Sequence, residues 1–490
     1  MRDRKRHSQI DGTFMATDGQ EAFGNLHLRG RSTTLHLNLK DALPSRPELG
    51  VINGTLFDLR KVSCLECILL SAVNGWRGNE QYHHADIFPN FVTIGRRHFT
   101  ADEPAITAVR FTTQDLSVIF NDYHAFGYVS TSREAIESIV NNGEHPRDVE
   151  FGEHPEMFYF SGKNEIIAVD TPIGAFRVSH QLTLNVGGRR SLDIKNNLAI
   201  CLRYTDPVDL ETCIGRIMSI HRLLSLIAGR KQSIESISLD LVDDPKPNPG
   251  PLELHWMHAP HGVREKANTP NSADVSLDAV RRPDEFKRVL VDWLKREPEW
   301  RTARIRFADC ASKGNSYNVD RLVAAANMFD ILPEDAGPSA SRLSQDLVLA
   351  QQKCRKIFKQ LTPGAERDSM LGALGRMHVP SLTKKVLHHV DVVNGKLGKW
   401  FPDLSMIAIT AVKCRNYFVH GSDDFDFPKL EPLVPFLTDA LEFVFATSDL
   451  ITAGWDADAW GNRHYSAGDS LTRFRWGYRE QIVRLKQALS

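Results

Sequence analysis

Between residues 33 and 39 the leucines at positions 35, 37 and 39 alternate with polar residues. This is the period of two that a strand with one buried face requires. Strands are likewise predicted at 24–30, 105–111, 158–160 and 181–186, and another over 56–70, with glycines and short polar turns between them. A β-rich region is therefore expected from Ile10 to about Ile200. The period then changes: a helix is predicted from Val208 to Ala228, with Pro207 ahead of it and Gly229 just behind, the usual asymmetry of helix ends.

From Asp243 the chain carries prolines at 245, 247, 249 and 251. Each removes a backbone donor and fixes φ, so neither periodic structure continues, and 243–283 is expected to be linker-like. Beyond Pro283 the pattern predicts helices at 284–295, 319–332, 341–361, 382–400, 404–420 and 430–450. In the second of these Val319, Leu322, Val323, Ala326 and Phe329 share one face. Amphipathic helices joined by short polar loops imply an antiparallel bundle. The expected fold class is thus α+β and multidomain, a β-rich N-terminal region followed by an all-α bundle. The expected boundaries are 1–300, 301–455, and a basic, aromatic C-terminal tail over 456–490.

Composition narrows function more by exclusion than by indication. With 60 basic against 61 acidic residues and a net charge of -1, no overall positive field attracts phosphate, so any nucleic-acid site must be a local patch. The charged start of the chain has no apolar run behind it, and no stretch reaches bilayer-spanning length, so a cytoplasmic protein without membrane partners is expected. Seven cysteines, an odd number, argue for a reducing compartment. Cys64 and Cys67, with His83 and His84 downstream, have the residue types of a zinc site. Adjacent histidines on a strand point apart, however, and a lone CxxC has little specificity. Phosphate-cradling, dinucleotide, zincin and serine-hydrolase motifs are absent, and neither a metal nor a cofactor is expected.

The segment Lys413–Gly421 reads KCRNYFVHG and closes a predicted helix. Asn416 and His420, four apart, share a helix face, and the long Arg415 side chain can converge on the same phosphate. Gly421 allows a left-handed cap just beyond His420. Histidine suits proton transfer near neutral pH and guanidinium suits a phosphorane dianion, so attack of an RNA 2′-hydroxyl on its own phosphate is the chemistry this set fits. The bland alternative is that Arg415 pairs with Asp423 or Asp424 while His420 only caps the helix. The spacing recurs at Arg2/His7, Arg31/His36, Arg77/His83, Arg147/His154 and Arg216/His221, but only the last of these is on a predicted helix, and there an isoleucine follows the arginine. Asn327 and Asp330 on an earlier helix are candidate orienting groups. The 473–479 segment, which interleaves arginines with aromatics, is a candidate RNA contact or an amphipathic helix packed on the bundle.

The Arg415 to Gly421 segment resembles the R-x4-6-H motif of the HEPN superfamily, with the polar residue that often follows the arginine. A β-rich N-terminal region ahead of such a bundle resembles the ApeA family of bacterial anti-phage proteins. The resemblance implies a four-helix HEPN bundle and a metal-independent endoribonuclease. Arg415, His420 and Asn416 would be catalytic, and Lys413 and Tyr417 would contact RNA. It further implies a homodimer through the bundle, with Tyr417 near the interface, and phage defence by growth arrest when the N-terminal region senses a phage-derived trigger. A non-catalytic RNA- or nucleotide-binding HEPN module and a dimeric scaffold are the alternatives.

Overall fold

Alternation along a strand dictates what a closed sheet can bury, and the first three strands follow it end to end. A computed structural model describes residues 8–490 except 17–18, 44–46, 78–79, 144–148, 187–191, 243, 245–249, 263–268, 340–342, 422–425 and 464–469. The chain forms two units, one made of 1–217, 232–261 and 278–283, the other of 218–231, 262–277 and 284–490.

The first unit begins with β1 (Ser8–Met15), β2 (Glu21–Leu28), β3 (Thr34–Leu39), β4 (Glu48–Leu56), β5 (Lys61–Arg77) and β6 (Glu80–Gly95). They pair antiparallel in the order β6, β3, β2, β1, β4, β5, and β5 pairs back onto β6 to close a six-stranded barrel. Leu35, Leu37 and Leu39 point inward with Phe14, Leu26 and Ile87, as their alternation requires. Phe14 sets the width. A Cβ on Gly24 or Gly54 would come within 2.7 or 2.6 Å of its ring, so only glycine admits the aromatic there.

Cys64 and Cys67 are three apart and in a regular strand would face opposite sides. Ile52 pairs with Cys64 and Gly50 with Cys67, so two residues of β5 oppose one of β4. Glu66 takes φ +51 in this bulge, and both thiols turn into the barrel. Burial raises the Cys64 thiol well above its ordinary range and pushes Cys67 up to about 12.

Then come β7 (Ile106–Thr113), α1 (Leu116–Ile119), β8 (Phe126–Val129), α2 (Arg133–Asn141), β9 (Met157–Phe160), β10 (Glu165–Thr171), β11 (Gly174–Val186) and β12 (Leu192–Val208). α3 (Leu210–Ala228), whose residues from 218 onward belong to the second unit, β13 (Ile234–Leu241) and β14 (Leu252–Trp256) follow. The order β10, β11, β12, β7, β13, β14 continues the sheet onto β6, while β8 and β9 pair apart. β14 therefore corrects the expectation of a plain linker over 243–283. Its Leu252 and Leu254 are buried, and their alternation follows directly on the last proline.

The second unit carries α4 (Pro283–Ala311), α5 (Val319–Asn327), α6 (Gln345–Gln360), α7 (Ala365–Gly375), α8 (Leu382–Leu397), α9 (Leu404–His420), α10 (Phe427–Leu430), α11 (Val434–Thr452), α12 (Ala457–Gly461) and α13 (Ser470–Leu489). α5, α8, α9 and α11 pack around a core containing Leu322, Val390, Ile407, Ala411, Leu441 and Val444. α4 runs through residue 300, where the sequence pattern suggests a boundary, and contains Pro298. Its Arg304 is fully buried and holds Asp449 of α11 through Nε (2.9 Å) and Nη2 (3.0 Å), while Nη1 donates to Glu297 (2.8 Å). Arg296 adds a bond to Asp449 at 2.7 Å. Burial alone would raise the Asp449 pKa, but the two guanidinium groups hold it below the usual carboxylate range.

The C-terminal segment is a packed helix rather than a free tail. Phe474 and Tyr478 of α13 lie against Phe401 at 5.7 and 5.0 Å between ring centroids, while Trp476 stays exposed. Among the described residues, no helix is long and apolar enough to cross a membrane.

Candidate functional site

α9 supplies the motif because its inner face is apolar and its last turn is not. Ile407, Ala408, Ala411, Val412 and Cys414 are buried, which turns Arg415 and Asn416 toward the bundle's edge and leaves His420 exposed. The helix ends where expected. Gly421 adopts φ +65, and its N–H donates to the Tyr417 carbonyl at 3.0 Å, a left-handed cap that a Cβ would strain.

Arg415 is the hub. Its Nε and Nη2 donate to Oδ1 of Asn327, at 3.1 and 3.0 Å, from the last residue of α5. Its Nη1 donates to Asn416 Oδ1 at 3.0 Å and meets His420 Nε2 at 3.1 Å. A guanidinium can only donate, so in this contact Nε2 is the acceptor and its lone pair points at Arg415 Nη1. Four of the five guanidinium N–H groups are thereby directed, and the planar fork is held by side chains from two helices.

Arg415, Asn416 and His420 thus come together, and Asn327 joins them. Asp330 does not: it is exposed and pairs with Lys385 at 2.8 Å. Lys413 is exposed one turn before the cluster. The Tyr417 ring stacks on Phe427 at 5.5 Å and 11°, with Phe418 edge-on to both, so it belongs to an aromatic cluster beside the motif. Phe418 and Val419 are the exposed apolar residues next to it. Asp423 and Asp424 lie outside the described residues. The helical competitor behaves as a structural pair: Arg216 donates to the Ile173 carbonyl at 3.0 Å and lies over Tyr204, and His221 is buried.

The zinc set considered from sequence does not assemble. Both thiols face the barrel interior, with Cys67 donating to the Cys64 carbonyl at 3.3 Å. His83 bonds Asn74 at 2.7 Å, and His84 emerges on the opposite face of β6.

A family model described as ApeA N-terminal domain 1 matches residues 9–293, and one described as Apea-like HEPN matches residues 323–459. Neither a curated protein nor a solved structure matches the chain.

Proposed function

This chain belongs to the ApeA family and ends in an ApeA-like HEPN domain, and from that premise we propose that it is an anti-phage ribonuclease whose centre is Arg415 and His420. The observation that carries the reading is their 3.1 Å contact on an exposed helix end, with Asn416 and Asn327 holding the guanidinium. A pair serving only to cap a helix would have no use for a guanidinium fork braced from another helix.

In the proposed reaction the exposed His420 ring swings off Arg415 Nη1, and its freed Nε2 takes the proton of an RNA 2′-hydroxyl. The 2′-oxygen attacks the adjacent phosphorus, and Arg415 holds the charge that accumulates on the non-bridging oxygens. The bond from phosphorus to the 5′-oxygen then breaks, and an acid returns a proton to that oxygen. One subunit offers one imidazole at this site, and a two-fold axis beside the motif would bring the second. Lys413 and Tyr417 flank the cluster as RNA contacts, and the clustered arginines would give a neutral protein its local positive patch. Residues 1–300 would restrain the bundle over 301–455 until a phage-derived trigger binds.

The test is to express wild type and His420→Ala in bacteria under phage challenge and sequence RNA 5′-hydroxyl ends. New 5′-hydroxyl ends with 2′,3′-cyclic phosphate partners are expected from wild type alone, and EDTA should not inhibit the purified enzyme. Full protection by a folded His420→Ala protein would overturn the catalytic reading and favour the scaffold.

A further inference from the structure

Outside the bundle, one group of side chains has the chemistry of a metal site. Antiparallel pairing aligns Ser71 on β5, Asp86 on β6, His36 on β3, Asn25 on β2 and Asp11 on β1 in a single polar row across the barrel. His84 lies two residues from Asp86 and therefore on the same face. The hydrophobic partners of this row, Leu35, Leu37, Ala85 and Ile87, point inward, so the row lies on the barrel's outer surface.

Three donors converge there. His36 Nδ1 is 2.6 Å and His84 Nε2 3.0 Å from the same oxygen, Asp86 Oδ1, and one donor atom from each of the three residues lies within 4.8 Å of the others. The imidazole rings are nearly parallel, 13° apart at 5.9 Å. Adjacent donors around a tetrahedral zinc ion are about 3.3 Å apart, given bonds of about 2.0–2.1 Å. Entry of an ion therefore requires Asp86 Oδ1 to separate from His84 Nε2 by about 0.3 Å and from His36 Nδ1 by about 0.7 Å.

The outer contacts also have the expected form. Ser71 Oγ donates to the other carboxylate oxygen at 2.8 Å, and Nδ1 of His84 meets Asn38 Oδ1 at 3.3 Å. Nδ1 donating to that amide oxygen leaves Nε2, the nitrogen beside Asp86, as the one free to ligate a metal.

We propose that His36, His84 and Asp86 form a binding site for one divalent zinc-class cation on the outer face of the barrel. Two imidazoles and a carboxylate select such a metal over magnesium or calcium, which take oxygen donors. Side-chain exposures of 36, 34 and 31% for His36, His84 and Asp86 leave a coordination position open to solvent. The site is independent of the RNA-cleavage reading, because no group of the Arg415 cluster takes part.

Untagged full-length protein, stripped with a chelator and titrated with Zn2+ alone against a chromophoric competitor, should bind one ion per chain at this site. Asp86→Asn and His84→Ala should each weaken it at least tenfold, and Asn38→Ala by about tenfold, the lower end of outer-shell effects. X-ray absorption of the zinc-loaded wild type should show two imidazoles and no sulfur, a readout that does not depend on any variant folding. Sulfur in the shell, no stoichiometric binding, or wild-type affinity in Asp86→Asn would each overturn the proposal. In those cases His36 and His84 are simply hydrogen-bonded to Asp86.

Discussion

Arg415 and Asn327 are 88 residues apart, yet two N–H groups of the one converge on a single oxygen of the other. The fork is therefore aimed before any substrate arrives, and a phosphate that binds Arg415 meets a guanidinium of fixed orientation. Preorganised charge of this kind is where hydrogen bonds contribute most to catalysis.

Arg415→Ala and His420→Ala should each lower RNA cleavage by roughly 10²-fold or more, the effect of losing the phosphate clamp or the proton-transfer group. Asn327→Ala removes only the brace, and a loss of about tenfold is expected, close to the worth of one hydrogen bond to a charged group. Single-turnover cleavage of a defined RNA, with thermal unfolding as the control for folding, separates the three.

If two motifs share one cleft, subunits carrying His420→Ala should poison their wild-type partners. Co-expression with an excess of the variant would then abolish activity in mixed dimers. Mixed dimers isolated by two affinity tags that retain about half of the wild-type rate would instead show that each subunit works alone.

Asp449 neutralises Arg304 and Arg296 in the interior of the helical unit. Asp449→Ala leaves both guanidinium groups without their shared carboxylate, and a destabilisation of about 3–5 kcal/mol is expected. Denaturant unfolding followed by the circular dichroism of the helices measures it directly.

His389 on α8 is buried, bonds Ser448 at 3.1 Å, and has its pKa lowered to about 4 by burial and by neighbouring His388. Its unfolded value is near 6.5, so between these values the unfolded chain binds the proton more tightly and stability falls as pH falls. From about pH 7 to about pH 5 the loss should be about 2 kcal/mol. Asp439, pushed up to about 6 by burial, works in the opposite sense over part of that range. The measurement is therefore the difference in unfolding free energy between wild type and His389→Gln at the two pH values, and equal pH slopes would count against the assignment.

The parts legible in sequence were those with a local cause. Helix α9 is predicted over its observed Leu404–His420 because Gly421 terminates it, and β3 follows from three alternating leucines. Helix α4 is predicted only to Lys295, and Pro298 lies just beyond that point. The helix continues to Ala311, where Trp300 and Ala303 are buried and Arg304 reaches Asp449, so tertiary contacts outweigh the missing donor. α7 carries too weak an apolar stripe to be noticed. Residues joined only by folding left the least trace: Asn327 could be named as a candidate but not placed, and His36 stands 50 residues from the aspartate it meets.

β6 has neighbours on both edges over most of its length: β5 between 80 and 95, with β3 over 83–87 and β14 over 91–94 on the other side. A residue inserted or deleted inside it would exchange inward and outward side chains in the barrel and in the extended sheet at once. Descendants of this chain are thus expected to vary in the length of their turns while the residue count of this strand stays constant, which makes β6 the natural fixed ruler for comparing distant relatives.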